Sequence, residues 1–198
     1  MLIIDTFMVK YMCGEIMFKK INILDEKDKN LRIKCTPYDR KLNKTEIELI
    51  EQIKTQLRFS QIEEYEKKYN LRPGMGLAFP QVGIAKRLIV IVHEYEKGKF
   101  DEFVVINPKI ISHSEEMIAS EYGEGCLSVN REIEGHVPRY ARVTIKGLNI
   151  NSEPIKIRAR EELSIAFQHE IDHLNGILFF DRINKKKPFF ADKEIRLI

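Results

Sequence analysis

His169-Glu-Ile-Asp-His173 is the stretch of this chain whose residue types and spacing can do chemistry. On a helix, residues four apart stand one turn above each other, so both imidazoles can grip a single metal ion. The intervening carboxylate, Glu170, then reaches the water that such an ion activates. A pair of surface histidines flanking a glutamate would be the bland alternative, and the helical pattern around the motif argues against it. A third protein ligand decides the class of chemistry, and several positions compete for it. The longer pattern H-E-x-x-H-x-x-G-x-x-H is followed as far as Gly176, but Phe179 stands where its last histidine belongs. Glu194 lies further along, near the end of the chain, where little structure is expected to hold it in place. Cys126 sits in Glu124-Gly-Cys-Leu-Ser128, where glycine permits a tight backbone path and a metal would keep the thiolate deprotonated. A lone cysteine is more often a small buried hydrophobe. A closed structural zinc site of Cys35, Cys126, His169 and His173 is the non-enzymatic rival, and it would leave no position for water.

The neighbours of these residues narrow the choice. Gly74-Met-Gly-Leu-Ala-Phe-Pro-Gln81 forms a second glycine-rich loop. It lacks the G-K-[ST] ending of a phosphate loop, and its strand follows it instead of preceding it. With Glu124-Gly-Cys-Leu-Ser128 and Gln168-His-Glu-Ile-Asp-His173 it resembles, in order, the three motifs of the peptide deformylase family, G-x-G-L-A-x-x-Q, E-G-C-L-S and Q-H-E-x-D-H. The resemblance covers about residues 17 to 185. The long segment before the first motif is similar to that of the longer, type 2 deformylases of low-GC Gram-positive bacteria and mollicutes.

That resemblance implies metal-dependent hydrolysis of the formyl group from the N-terminal formylmethionine of newly synthesised polypeptides, releasing formate. Cys126, His169 and His173 would hold one divalent ion with water as fourth ligand, and the ion would lower the pKa of that water from 15.7 toward about 7. Glu170 would take the water's proton as it attacks the formyl carbon and later protonate the leaving amine. Gln81 and the backbone N–H of Leu127 would hold the oxyanion. The backbones of Met75, Gly76 and Gly125 would pair with the peptide as with an added strand, and Ile165 and Ala166 are candidates for its methionine pocket. The implied native ion is Fe2+, with Zn2+, Ni2+ or Co2+ as substitutes. The implied partners are formylmethionyl N-termini of nascent polypeptides, with a transient ribosome contact as a further candidate. No membrane and no sequence-specific nucleic acid are expected.

Elements must position these residues, and the chain shows their outline. The final helix is expected over about 160–175: Leu163, Phe167, Ile171 and Leu174 fall on one side of it. His169 and His173 lie on an adjoining side, with Glu170 between them and the apolar stripe. Gln168, Asp172 and Asn175 point the other way, and Gly176 ends the helix as a left-handed cap. Upstream, Thr45 with Glu48 forms the pattern of a capping box, and Ile47, Ile50, Ile53 and Leu57 recur at helical spacing. Ile62, Tyr65 and Tyr69 suggest a second helix, broken by Pro73-Gly-Met-Gly76. Short strands are expected at 87–92, 103–106, 110–111, 132–137 and 142–148. The fold class is therefore α+β, and the family resemblance implies short mixed or antiparallel sheets wrapped around the H-E-x-x-H helix, with N-terminal scaffold helices.

Composition bounds the rest. A length of 198 residues, 43% hydrophobic and 32% charged, matches one domain. Residues 1–16 are expected to be an N-terminal extension, disordered or upstream of the true start at Met17, and 17–198 a single catalytic metallohydrolase domain. The longest strictly apolar run, 88–92, is far below the roughly 20 residues of a membrane span, and the opening residues lack the pattern of a secretory signal. Three cysteines without a C-x-x-C pair fit a reducing compartment, the cytoplasm, which the family resemblance implies is bacterial. The net charge of +3, from 33 basic and 30 acidic residues, does not by itself call for nucleic acid. Lys185-Lys-Lys187 is the one basic run and is expected to be a solvated turn.

Overall fold

A computed structural model describes residues 18–189 and 195–198. The expected N-terminal extension, Cys13 and Glu194 lie outside the described residues. Among the described residues eight strands and three α-helices are arranged in and around two sheets: β1 (Gly76–Ala78), β2 (Leu88–Glu96), β3 (Lys99–His113), β4 (Met117–Ala119), β5 (Arg139–Tyr140), β6 (Arg142–Leu148), β7 (Pro154–Arg160) and β8 (Ile195–Leu197), with α1 (Lys44–Ser60), α2 (Glu63–Tyr69) and α3 (Glu161–His173). The larger sheet runs β1-β2-β3-β6-β7 with every pair antiparallel. The smaller runs β5-β4-β8, with β4 and β8 parallel. The α+β class and the mixed and antiparallel sheets around the motif helix are as the sequence implies.

The larger sheet is covered unequally. On one face α3 packs Phe167, Ile171 and Leu174 against Ile89, Ile91, Val105, Val143 and Ile145. On the other α1 packs Ile50, Ile53 and Leu57 against Leu88, Val90, Val92 and Ile106. Residues 88–92 are buried throughout because both their faces are covered, which is why they are an unbroken apolar run. Apart from Leu148, which packs on the α1 side, strands β6 and β7 are covered on the α3 side, and they alternate between inward apolar and outward polar residues. Burying a side chain such as Phe167 contributes about 1.5–3 kcal/mol, so these contacts fix α3, and with it the motif, to the sheet.

Several local expectations change. The cap of α1 is Asn43, not Thr45: the Asn43 side chain accepts from Glu46 N–H, and the Glu46 carboxylate accepts from Asn43 N–H. Glu46 also receives hydrogen bonds from Tyr38 and Arg40, partners from before the helix that no i,i+3 pattern reveals. Helix α2 ends at Tyr69, where Asn70 adopts the left-handed conformation (φ 47°), before Pro73 is reached. The segments 103–106 and 110–111 belong to one long strand, β3, whose pairing shifts register around Asn107 (φ 53°). Residues 132–137 are not a strand. Ile133 and Val137 pack beside Phe179, and His136 N–H donates to the Pro188 carbonyl, so a loop meets that segment's needs. Helix α3 is shorter at both ends than 160–175, and Gly176 follows it with φ 73° as expected. A side chain there would collide with the Arg32 carbonyl, 2.6 Å from an ideal Cβ. Lys185 to Lys187 form an exposed turn, with Asn184 Oδ1 accepting from the backbone N–H groups of Lys186 and Lys187.

Candidate metal centre

The centre is assembled from two elements. Helix α3 supplies His169, Glu170 and His173, all buried. The loop between β4 and β5 supplies Cys126, also buried, with a 3.3 Å separation between its Sγ and His173 Nε2. The ligand atoms of Cys126, His169 and His173 lie within 4.8 Å of one another. A tetrahedral ion with bonds of about 2.0–2.3 Å separates its ligand atoms by roughly 3.3–3.7 Å, so the donor set fits one divalent ion with small adjustments. Cys35 is outside this group. It is buried in the main core with Leu174 and Ala78, and its N–H donates to the Leu174 carbonyl, which removes the closed four-ligand alternative.

Two of the three ligands are held from behind. His169 Nδ1 is 2.8 Å from Glu124 Oε2, leaving its Nε2 for the ion. Glu124 is gripped by Arg139 through two hydrogen bonds of 2.7 and 2.9 Å, and Arg139 donates a third, of 2.6 Å, to Asp172. Arg182 reaches Asp172 from the outer side. Gln168 and Asp172 therefore do not face water: they are buried against the small sheet, where Gln168 bonds both backbone groups of Tyr140. The helix is enclosed on nearly every side because its polar residues have partners waiting. The Cys126 loop is held by Arg72, whose guanidinium donates to the carbonyls of Cys126 (2.8 Å) and Val129 (2.9 Å).

These contacts set the charges. Burial works to raise the Glu124 pKa, but the Arg139 and His169 hydrogen bonds outweigh it and hold the carboxyl at about 2. Burial disfavours a charged His169, yet the adjoining Cys126 and Glu124 pull its pKa well above the ordinary value. His173 is pushed well below it, by burial first and then by His169. One positive charge is thus favoured within the triad, which is the condition that a metal ion meets by displacing a proton. Burial raises Glu170 to about 7, and a cation at the triad would draw it back down. Glu170 Oε2 and His173 Nδ1 are buried without a hydrogen-bond partner among the described residues, a further mark of a site arranged around something else.

A cleft of about 350 Å3 opens onto the centre. Met75, Gly76, Gln81, Gly125, Cys126, Leu127, Ile165, Ala166, His169 and Glu170 all line it, while His173 lies behind them. The sequence candidates therefore converge. Gly76 opens β1, an edge strand, and an ideal Cβ there would stand 2.5 Å from Glu170 Oε1, so only glycine lets the carboxylate lie against the strand. Gln81 belongs to a short 3-10 turn (Phe79–Val82); its Oε1 accepts from Ala78 N–H at 2.8 Å, and its Nε2 donates to Ser128 Oγ at 3.2 Å and lies 3.7 Å from Cys126 Sγ. Arg72, Arg139 and the orienting role of Glu124 were not anticipated. Glu124 stands within a recognised motif, whereas nothing in the local sequence of either arginine marks it.

A buried thiolate and two imidazoles, with a carboxylate on the same helix and a cleft beside them, define the site of a metallohydrolase. The family model for polypeptide deformylase matches residues 20–189, and the chain belongs to that family. A peptide deformylase of Oceanobacillus iheyensis is 52% identical over 148 residues, covering 75% of this chain and 81% of the relative. Peptide deformylase 2 of Bacillus anthracis is 52% identical over 132 residues, covering 67% and 72% respectively. A crystal structure of a class I type b peptide deformylase from Acinetobacter baumannii with Met-Ala-Ser bound superposes with a TM-score of 0.66 at 29% identity, covering 84% of this chain and all of that one. The chain is a deformylase of formylated N-terminal peptides, with a Cys126/His169/His173 site for a divalent metal. Among the described residues no helix is long and apolar enough to cross a membrane.

Proposed function

We propose that the residues of the cleft divide the deformylation among them as follows. Cys126, His169 and His173 hold one divalent ion, natively Fe2+, which when bound supplies Lewis-acid activation of water and polarisation of the formyl group. Glu170 accepts the proton of the attacking water and returns it to the amine as the C–N bond breaks, so that formate and a free N-terminus leave. The Gln81 amide and the Leu127 backbone N–H donate to the oxygen that gains charge, and one such donor contributes about 3 kcal/mol to the transition state. The backbones of Met75, Gly76 and Gly125 pair with the substrate as an added strand on the β1 edge. Ile165 and Ala166 receive the methionine side chain.

The observation that carries this division is the position of Glu170: buried, with Oε2 unpartnered, one residue from a metal ligand and facing the same cleft. The Gln81 amide is fixed at its oxygen by Ala78, which supports its use as a donor. The Met-Ala-Ser held by the Acinetobacter enzyme supports an extended peptide in this cleft. Residues 17–198 act as one catalytic domain with 1–16 as an extension, working in the bacterial cytoplasm in transient contact with the ribosome. The test is product analysis on a formyl-Met peptide: formate with an otherwise intact peptide is expected. Cleavage of internal bonds in unformylated peptides, with no formate, would overturn the reading.

A further inference from the structure

The half of the larger sheet that α1 leaves uncovered is strongly basic. From Arg142 through Arg160 the chain carries five basic residues against one acid, Glu153, although the whole chain has a net charge of only +3. The strand register gathers these charges on one side. Lys109, Lys146 and Lys156 stand in one row across β3, β6 and β7; Thr144 and Arg158 stand in the next; Arg142 and Arg160 in the third. Their neighbours Val143, Ile145, Ile157 and Ala159 point into the core beneath α3, so the charged row is the outward one. All six basic residues are exposed. Arg142 pairs with Glu116, whereas among the described residues none of the other five makes an ion pair. At the edge of this face Ser112, Thr144, Arg142, Arg158 and Arg160 line a cleft of about 500 Å3, which places hydroxyl donors beside guanidinium forks.

We propose that this β3–β6–β7 face docks the phosphate backbone of RNA, without reading its sequence. Charge complementarity selects a polyanion. Alternate residues along a strand are about 7 Å apart and adjacent strands about 5 Å apart, giving a grid of cations at the scale of successive phosphates. Membrane attachment through a polybasic face takes an apolar anchor as well, and Ile111, exposed in the β3 irregularity beside these rows, is a single side chain and too little for one. The placement suits an enzyme of new polypeptides, on whose established activity this docking reading rests. The catalytic cleft lies at the β1 edge and on the α3 side, so an RNA surface held at β6 and β7, on the opposite face, leaves the cleft open to an arriving N-terminus.

The test uses the metal-loaded full chain and a labelled RNA duplex of about 16 base pairs, with anisotropy read between about 50 and 200 mM salt. Binding is expected to weaken with log salt at a slope of roughly −3 to −5, the signature of four to six phosphates engaged. Lys146→Glu, Lys156→Glu and Arg158→Glu together should weaken it at least ~30-fold, with unchanged formate release from a formyl-Met tripeptide and unchanged melting. A Gln version of the same three positions should give a smaller loss, and Lys185→Glu with Lys186→Glu and Lys187→Glu should bind as the parent does. RNA affinity unaffected by the sheet substitutions, or lost only with the turn substitutions, would overturn the proposal. So would binding of the parent to phosphatidylglycerol vesicles but not to RNA. Loss of formate release with RNA binding intact would count against the catalytic reading instead.

Discussion

Glu124 Oε2 lies 2.8 Å from His169 Nδ1, and the same carboxylate accepts from Nε and Nη2 of Arg139, so one buried anion orients a metal ligand and is itself oriented. A partner of this kind fixes the ring and its tautomer, and its loss typically costs 10- to 100-fold in metal affinity or activity. Glu124→Gln is expected to weaken metal retention by roughly that factor in a chelator competition. Retention equal to that of the parent would mean that the helix alone orients His169.

Glu170→Gln is expected to keep the metal and lose activity by ~100- to 10,000-fold, because the amide preserves shape while removing the proton acceptor. Metal content and formate release measured on one sample separate the two effects. Near-normal turnover would remove Glu170 as the proton carrier.

Gln81→Leu removes a donor while leaving every ligand in place, and a loss of about 3 kcal/mol corresponds to roughly 100-fold in rate. The fall should appear in kcat with metal content unchanged. Loss of metal in step with activity would instead assign Gln81 a structural role beside Cys126.

Glu46 offers a test of the scaffold, away from the metal. Its hydrogen bonds from Arg40 come first in lowering its pKa from the usual 4.5 to about 2, against the opposing effect of burial. A carboxyl lowered by folding contributes stability that is present above pH 4.5 and is lost as the pH falls toward 2. Glu46→Gln keeps an acceptor for the Asn43 N–H but removes the anion that Arg40 grips, at a cost of about 1 kcal/mol, so Tm should drop by about 2–4 °C at neutral pH. The gap between parent and variant should narrow through that acidic window, and a gap independent of pH would contradict the ion-pair account.

The three motifs were legible because each is local: a helix turn places two histidines, and glycines sit where the backbone must approach a carboxylate. What escaped the sequence is what long-range partners decide. The capping residue of α1 depends on Arg40 and Tyr38 folding back onto Glu46. The strand expected at 132–137 fails because its apolar residues find Phe179, distant in sequence, in place of a neighbouring strand. Gln168 and Asp172 were placed on the polar side of α3, correctly by angle, but Tyr140 and Arg139 cover that side. The strands β4, β5 and β8 are two or three residues long and leave too short a pattern to read. The basic face was hidden in a balanced net charge until the register of β3, β6 and β7 aligned it.

The choice of iron has its own consequence. A thiolate with two imidazoles suits zinc and iron alike by ligand type, but a ferrous ion beside Cys126 in a cleft open to solvent is exposed to oxidation, as is the thiolate. Anaerobic purification should yield an iron-loaded, active enzyme whose activity fades in air and is better preserved with Ni2+ or Co2+. A zinc form that is the most active and indifferent to peroxide would overturn the iron assignment and leave the ligands untouched.

The central claim, that deformylation proceeds at an ion held by Cys126, His169 and His173, is tested most directly by titrating metal into chelator-stripped protein and following formate release from a formyl-Met peptide. Activity should rise from background in proportion to bound metal and level off at one ion per chain, with Cys126→Ala neither binding the ion tightly nor releasing formate. Formate release that survives stripping, or a Cys126→Ala protein that keeps both its ion and its rate, would contradict it.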